Sequence, residues 1–210
     1  MKRIEIIGEQ AHFKIPNSSK IQRTYDIPPI STVIGILQNI YNENIDNFIV
    51  GYFIDYKVKA YEIVKIYKEI NPNVRKLTDS KRFTSDIVEV ENLNNVRLVI
   101  YTDIQEEMNL KTPLVFGKAN YLAKIKEISD IELLGKDAYG YNQYTDISVG
   151  EGMIKRVNTL TKYNEQKGYY DYKSTLVREN TEFKYNNNYD SEEEQCIFLW
   201  QFKDGEVHAY

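Results

Sequence analysis

Cysteine is almost missing from this chain: Cys196 is the only one in 210 residues. A single thiol closes no internal disulfide, so burial and hydrogen bonding must hold the fold, and nothing points to an oxidising compartment. Histidine is nearly as scarce. His12 and His208 lie far apart and Cys196 has no companion, so no zinc-type ligand spacing exists. The sequence also lacks a Gly-x-x-x-x-Gly-Lys-[Ser/Thr] phosphate loop and a Gly-x-Ser-x-Gly nucleophile turn. Its longest uncharged stretch, from Ile27 to Asn42, is too short and too polar to span a bilayer. At the start, Glu5 and Glu9 interrupt the apolar residues before they reach signal-peptide length. The expectation is a cytoplasmic protein with no membrane association, no metal and no cofactor.

What is present supports a packed domain: 42% of residues are hydrophobic and 28% charged. The formal net charge of −4 argues weakly against a polyanion partner, but its distribution matters more. Residues 1–135 hold 18 basic and 18 acidic groups, whereas residues 136–210 hold 9 and 13. Within the balanced part, Lys65 to Ser85 concentrates Lys65, Lys68, Arg75, Lys76, Lys81 and Arg82 against two acids. The 18 tyrosines accompany abundant Asn, Ile and Lys, the joint bias of an AT-rich genome, so most need no functional reading.

Hydrophobic periodicity orders the elements. "RIEIIGEQAHFKI" reads as a first strand from Lys2 to about Gly8, with a possible continuation to Lys14. In "TYDIPPISTVIGILQNIY", Ile30, Val33, Ile34, Leu37, Ile40 and Tyr41 fall on one helical face, with Ser31 as the expected N-cap after the two prolines. Strands follow in "NFIVGYFIDYKV", "KAYEIVKIYKEI", "SDIVEVENL" and "NVRLVIYTD", then a short helix in "IQEEMNL" and a turn at Gly117. Past Gly135 the texture is β-rich. "CIFLWQF-KDG-EVHAY" reads as a hairpin around Asp-Gly, and "DSEEEQ" as a solvent-facing or protein-facing acidic edge. One residue departs from good helix chemistry. Gly35 sits mid-helix, where glycine costs about 1 kcal/mol against alanine. It lies opposite the apolar stripe, beside Ser31, Gln38 and Asn39. Either that face admits a close partner, or it fits the chain's own C-terminal part.

The string "GEQAHFKIP…TYDIPPISTVIGILQNIY" closely resembles the opening of the CRISPR-associated RAMP proteins of family five, a Cascade subunit. Ala11, Phe13 and Lys14 match the family's A-x-F-[RK] step, and Pro28, Pro29, Ser31, Thr32 and Gly35 match its Pro-Pro-x-[ST]-T-x-x-G helix start. A second landmark, Leu-Gly-Arg at a strand end, is similar to "PLVFGKANYLAKIKEISDIELL", with Lys118 in place of arginine and without the usual acidic turn residues. The nearest look-alikes in length are subtype I-B members. The resemblance implies an α+β fold: a ferredoxin-like (RRM-like) RAMP domain over 1–135, a β-thumb at 65–90, and a β-rich C-terminal extension over 136–210. It implies a non-catalytic RNA-binding role in antiviral defence. The 5′ handle of the CRISPR RNA would be held beside the backbone and large subunits of a type I surveillance complex.

On that basis the RNA-binding candidates are His12, Lys14, Arg23, Ser31, Thr32, Arg75, Lys76, Lys81, Arg82, Gly117 and Lys118. Basic side chains and helix-start amides suit a phosphate backbone. The alternative is metal-independent endoribonuclease activity, which the resemblance associates with a tyrosine, lysine and histidine set. His12, Lys14 and Tyr25 are the residues available for it here. A ferredoxin-like scaffold that binds protein alone is the third reading.

Overall fold

A computed structural model describes residues 1–16, 20–41, 45–70, 83–164, 166–204 and 206–210. In chain order the elements are β1 (Lys2–Ala11), β2 (Ile21–Gln22), α1 (Ile30–Tyr41), β3 (Asn47–Asp55), β4 (Val58–Ile70), β5 (Phe83–Thr102), β6 (Leu114–Val115) and β7 (Leu122–Asp130). The remainder is β8 (Ala138–Thr145), β9 (Met153–Asn164), β10 (Tyr169–Tyr185), β11 (Tyr189–Asp190), β12 (Gln195–Cys196), β13 (Leu199–Lys203) and β14 (Glu206–Ala209).

The main sheet runs β14-β13-β3-β5-β1-β7-β6, antiparallel at every step of that path. β4 and β5 continue beyond it as a long hairpin, with β2 lying parallel against β5. The sequence pattern suggests two strands where β5 is one strand of 20 residues. The expected join near Asn95 is instead a left-handed kink, φ 54°, at which β5 changes partner from β4 to β3. Asparagine is among the few residues that adopt this conformation at small cost.

Alternation along the central strands gives the sheet two buried faces. Ile4 and Ile6 of β1, Val50, Tyr52 and Ile54 of β3, and Val96, Leu98 and Ile100 of β5 face α1. There they join Val33, Ile34, Leu37 and Ile40 in the principal core. Each such side chain, once buried, contributes about 1.5–3 kcal/mol. The C-terminal sheet β8-β10-β9 closes the same core with Tyr144, Val157, Val177 and Phe183. Opposite, Phe53, Val99 and Tyr101 pack against Ile197 and Leu199.

The fold is mostly β, with α1 as the single helix among the described residues. Two expectations need correction. The expected helix at Ile104–Leu110 is coil: Ile104 is buried, Leu110 is exposed, and so short a helix gains too little packing to offset its nucleation. Nor is Ser31 the helix cap. Thr32 and Val33 donate to the Pro29 carbonyl at 2.8 and 3.3 Å, which puts the cap at Pro29 and Ser31 inside the first turn. The Asp-Gly hairpin does form, as β13–β14, and it carries the chain's end back onto the main sheet through β3.

Candidate nucleic-acid interface

Two segments about a hundred residues apart meet where β1 ends. Beyond Ala11, His12 and Phe13 are both buried and Lys14 is exposed. It runs beside residues 23–25, bridged at Lys14 and Thr24. Ile15 N donates to the Arg23 carbonyl at 2.9 Å, and Tyr25 N to the Phe13 carbonyl at 2.8 Å. Thr24 locks the pair. Its Oγ1 accepts from Phe13 N at 2.8 Å, and its own N donates to Glu91 Oε2 at 3.0 Å. Lys14 and Arg23 are thereby fixed by backbone while their side chains reach solvent.

The second segment is the turn after β6. His12 N donates to the Phe116 carbonyl at 3.0 Å, and Gly117 follows with φ 88°. A Cβ built on Gly117 would lie 2.0 Å from the His12 carbonyl oxygen, so both the dihedral and the contact require glycine. This close approach delivers Lys118 beside Lys14. Lys118 is half-buried, its amino group 5.6 Å from the Tyr121 ring centre. Its pKa is pushed down by burial and by the neighbouring Lys14 charge, against an opposing pull from Glu62.

His12 lies beneath the two lysines and is 2% exposed. Its Nδ1 is 2.7 Å from the Glu91 carbonyl, which can only accept, so Nδ1 carries the proton. Nε2 is buried without a hydrogen-bond partner. Burial first, then the Lys118 and Lys14 charges, hold the ring's pKa below the usual histidine range and outweigh the Glu91 carbonyl. His12 is therefore a neutral, interior support for the cationic pair, and its ring is not at the surface. Tyr25, the other residue considered for proton transfer, is partly buried against the core.

Glu91 organises the floor of this site. Besides Thr24 it receives the Tyr61 hydroxyl at 2.9 Å, and Lys59 lies 3.2 Å away, so its charge is internally satisfied. Sequence reasoning missed Glu91, Lys59 and Tyr61. The available signal was an acid in "VEVENL" at a position that strand alternation buries.

The helix start is held separately. Tyr52 OH donates to the Pro28 carbonyl at 2.8 Å and Tyr144 OH to the Ile27 carbonyl at 2.9 Å, both from buried rings. Ser31 and Thr32 are half-buried on the first turn. Gly35 is exposed, and a Cβ there would meet nothing within 4 Å. The space beside Gly35 is open, although Asn39 on the same face bonds Thr112 and β9 packs against the same helix. The structure thus brings His12, Lys14, Gly117 and Lys118 together, with Arg23 across the Lys14–Thr24 bridge. Ser31 and Thr32 stand on their own element. Arg75, Lys76, Lys81 and Arg82 lie outside the described residues. Among the described residues no cluster of metal-ligating side chains occurs, and no helix is long and apolar enough to cross a membrane.

The fold and site define a class: a mostly β chain, with one helix among the described residues, that carries a cationic turn at the end of its first strand. The particular likeness is to a chain of the type III-B Cmr-beta assembly, solved by cryo-EM bound to cognate target RNA and AMPPnP. The two align with a TM-score of 0.56 at 12% identity, over 88% of this chain and 86% of that one, which shows a shared fold. A CRISPR RNA-guided surveillance complex chain aligns at a TM-score of 0.47 and 10% identity, over 86% of this chain and 90% of that one. A CRISPR protein from Archaeoglobus fulgidus aligns at 0.41 and 10%, over 98% and 97%. These two likenesses are too distant to bear on the fold. No family model matches the sequence, and no curated protein is similar to it in sequence.

Proposed function

We propose that this chain is a non-catalytic CRISPR RNA-binding subunit of a type I surveillance complex and that it grips the 5′ handle of the CRISPR RNA. One observation carries the reading. The two landmarks of the family-five resemblance, "HFK" and "FGK", converge in space: Gly117 packs against the His12 carbonyl, and Lys118 feels the charge of Lys14. A pair of lysines held by backbone suits phosphate, and phosphate contacts dominate such interfaces. The fold likeness to a chain of an RNA-bound CRISPR assembly is consistent with it.

In the same reading, β1-α1-β3-β5-β7 is a ferredoxin-like unit. Its strand order β3-β5-β1-β7 supports this, and coil 103–113 stands where a second helix would be. The β4–β5 hairpin is its thumb, and 136–210 its C-terminal extension. The partners are the backbone and large subunits of the complex.

Co-expression with a CRISPR repeat RNA, purification through high salt and sequencing of the retained RNA test the proposal. RNA with a common 5′ handle is expected, intact after incubation in EDTA. A chain that emerges free of nucleic acid overturns it. A discrete cleavage product that disappears in His12→Ala makes the chain an endoribonuclease instead.

A further inference from the structure

Of the acidic run expected to face solvent or protein, Asp190 and Gln195 are buried and Glu193 half-buried, while Glu192 and Glu194 stay exposed. Tyr189–Cys196 forms a tight hairpin, β11–β12, with Asn188 just before it and Glu194 at the close of its loop in left-handed conformations. It lies across the sheet face opposite α1, anchored by Ile197 and Leu199 on Phe53, Val99 and Tyr101. Asp190 is 2% exposed: Oδ2 accepts the Tyr101 hydroxyl at 2.7 Å, and Oδ1 accepts Glu192 N at 2.9 Å. Arg3 reaches Asp190 at 3.5 Å, Glu192 at 2.5 Å and Glu193 at 3.9 Å. Arg97 pairs with Glu193, with Glu5 at 3.1 Å and with Asp55 at 3.4 Å, and Lys126 joins Glu5 at 2.8 Å.

The sign of this face depends on the hairpin. Without it, the ion-paired groups would be three cations, Arg3, Arg97 and Lys126, against two carboxylates, Glu5 and Asp55. Asp190, Glu192 and Glu193 turn an excess of one positive charge into an excess of two negative charges. A groove of about 730 Å³ continues from Arg97 along the same sheet, between Ile7, Asn95, Leu122 and Lys124. It is roomy enough for a nucleobase; Lys124 adds a cation to its lining and Glu9 an anion, which leaves Arg97 as its net positive group.

We infer that the Asp190–Glu193 hairpin is a built-in polyanion that keeps RNA off this arginine-bearing sheet face and so restricts it to the Lys14–Lys118 side. The carboxylates occupy the guanidinium groups as phosphates would, and their surplus repels a strand that approaches the groove. This inference rests on the proposal that the chain binds RNA. Glu192 and Glu193 are its specificity-determining residues.

The test compares Glu192→Gln and the paired Glu192→Gln/Glu193→Gln with a charge-matched control, Glu106→Gln/Glu107→Gln, at two exposed positions of the 103–113 coil. Thermal melts establish that each is folded; Glu192, at 62% side-chain exposure, makes the single variant a safe second case. Affinity for oligouridylate without a handle is measured at low salt, with photocrosslink mapping. The paired variant should bind about tenfold more tightly than the control, with a smaller gain for the single variant. New crosslinks should fall in the Asn95–Tyr101 peptide. Equal affinity of paired variant and control overturns the inference, and if handle RNA still binds through Lys14 and Lys118, the RNA reading survives. A gain in a chain that ignores the handle keeps the inference and removes the handle reading. No RNA bound by any variant overturns both.

Discussion

Replacing Gly35 by alanine separates what the chain needs for its own stability from what it needs for a partner. Gly35 is interior to the 12-residue α1, is exposed, and has open space where a Cβ would go. Alanine there meets no clash and restricts the unfolded chain, so Gly35→Ala should stabilise the isolated protein by about 1 kcal/mol. For a chain of this length that is a rise in Tm of roughly 2–4 °C, within reach of scanning calorimetry. Gly35→Gln has nearly the same helix propensity but a side chain that blocks close approach. It should keep most of the stability gain and weaken assembly with CRISPR RNA and the neighbouring subunits at least tenfold. A fall in Tm for the alanine variant would mean that the helix face is packed within the chain itself. A rise in Tm with assembly unchanged in the glutamine variant would mean that glycine serves no close contact.

Gly117→Ala should act in the opposite direction. A positive φ and a 2.0 Å approach to the His12 carbonyl predict a loss on the order of 1–3 kcal/mol, read by urea denaturation. His12 sets a pH dependence. Its folded-state pKa lies below the reference 6.5, so the unfolded chain takes up the proton first. Stability should therefore be full above 6.5 and fall as pH drops through and below it, and His12→Gln should flatten that slope in denaturant titrations across pH. Tyr101→Phe removes the hydroxyl on the buried Asp190 carboxylate and should cost about 1–3 kcal/mol, with a looser Asp190–Glu193 hairpin by hydrogen exchange.

Local pattern carried much of this architecture. The apolar stripe of α1 and the outward direction of Gly35 follow from a 3.6-residue period, and the β13–β14 hairpin follows from Asp-Gly between apolar runs. Local pattern failed where the deciding partner is distant. The pattern divides "SDIVEVENL" from "NVRLVIYTD", and only pairing to β1 on one side and to β4 then β3 on the other makes β5 continuous. The ion pairing of Glu192 and Glu193 is not legible in "SEEE", because their counter-ions Arg3 and Arg97 are distant in sequence. The site was legible in part. Lys14 and Gly117–Lys118 belong to separate motifs, and the contact between them depends on the Gly117–His12 approach. His12 reads as an RNA-contact candidate and is interior, its ring buried on the Glu91 carbonyl.

The central claim is that an RNA strand lies against the Lys14–Lys118 turn. The most direct measurement is the salt dependence of affinity for a 5′-handle RNA, compared between the wild-type chain and Lys14→Ala/Lys118→Ala. Removing both ammonium groups from the phosphate backbone should reduce the slope of log affinity against log salt by about 0.7 per lysine. An unchanged slope with unchanged affinity would put the RNA elsewhere on the protein.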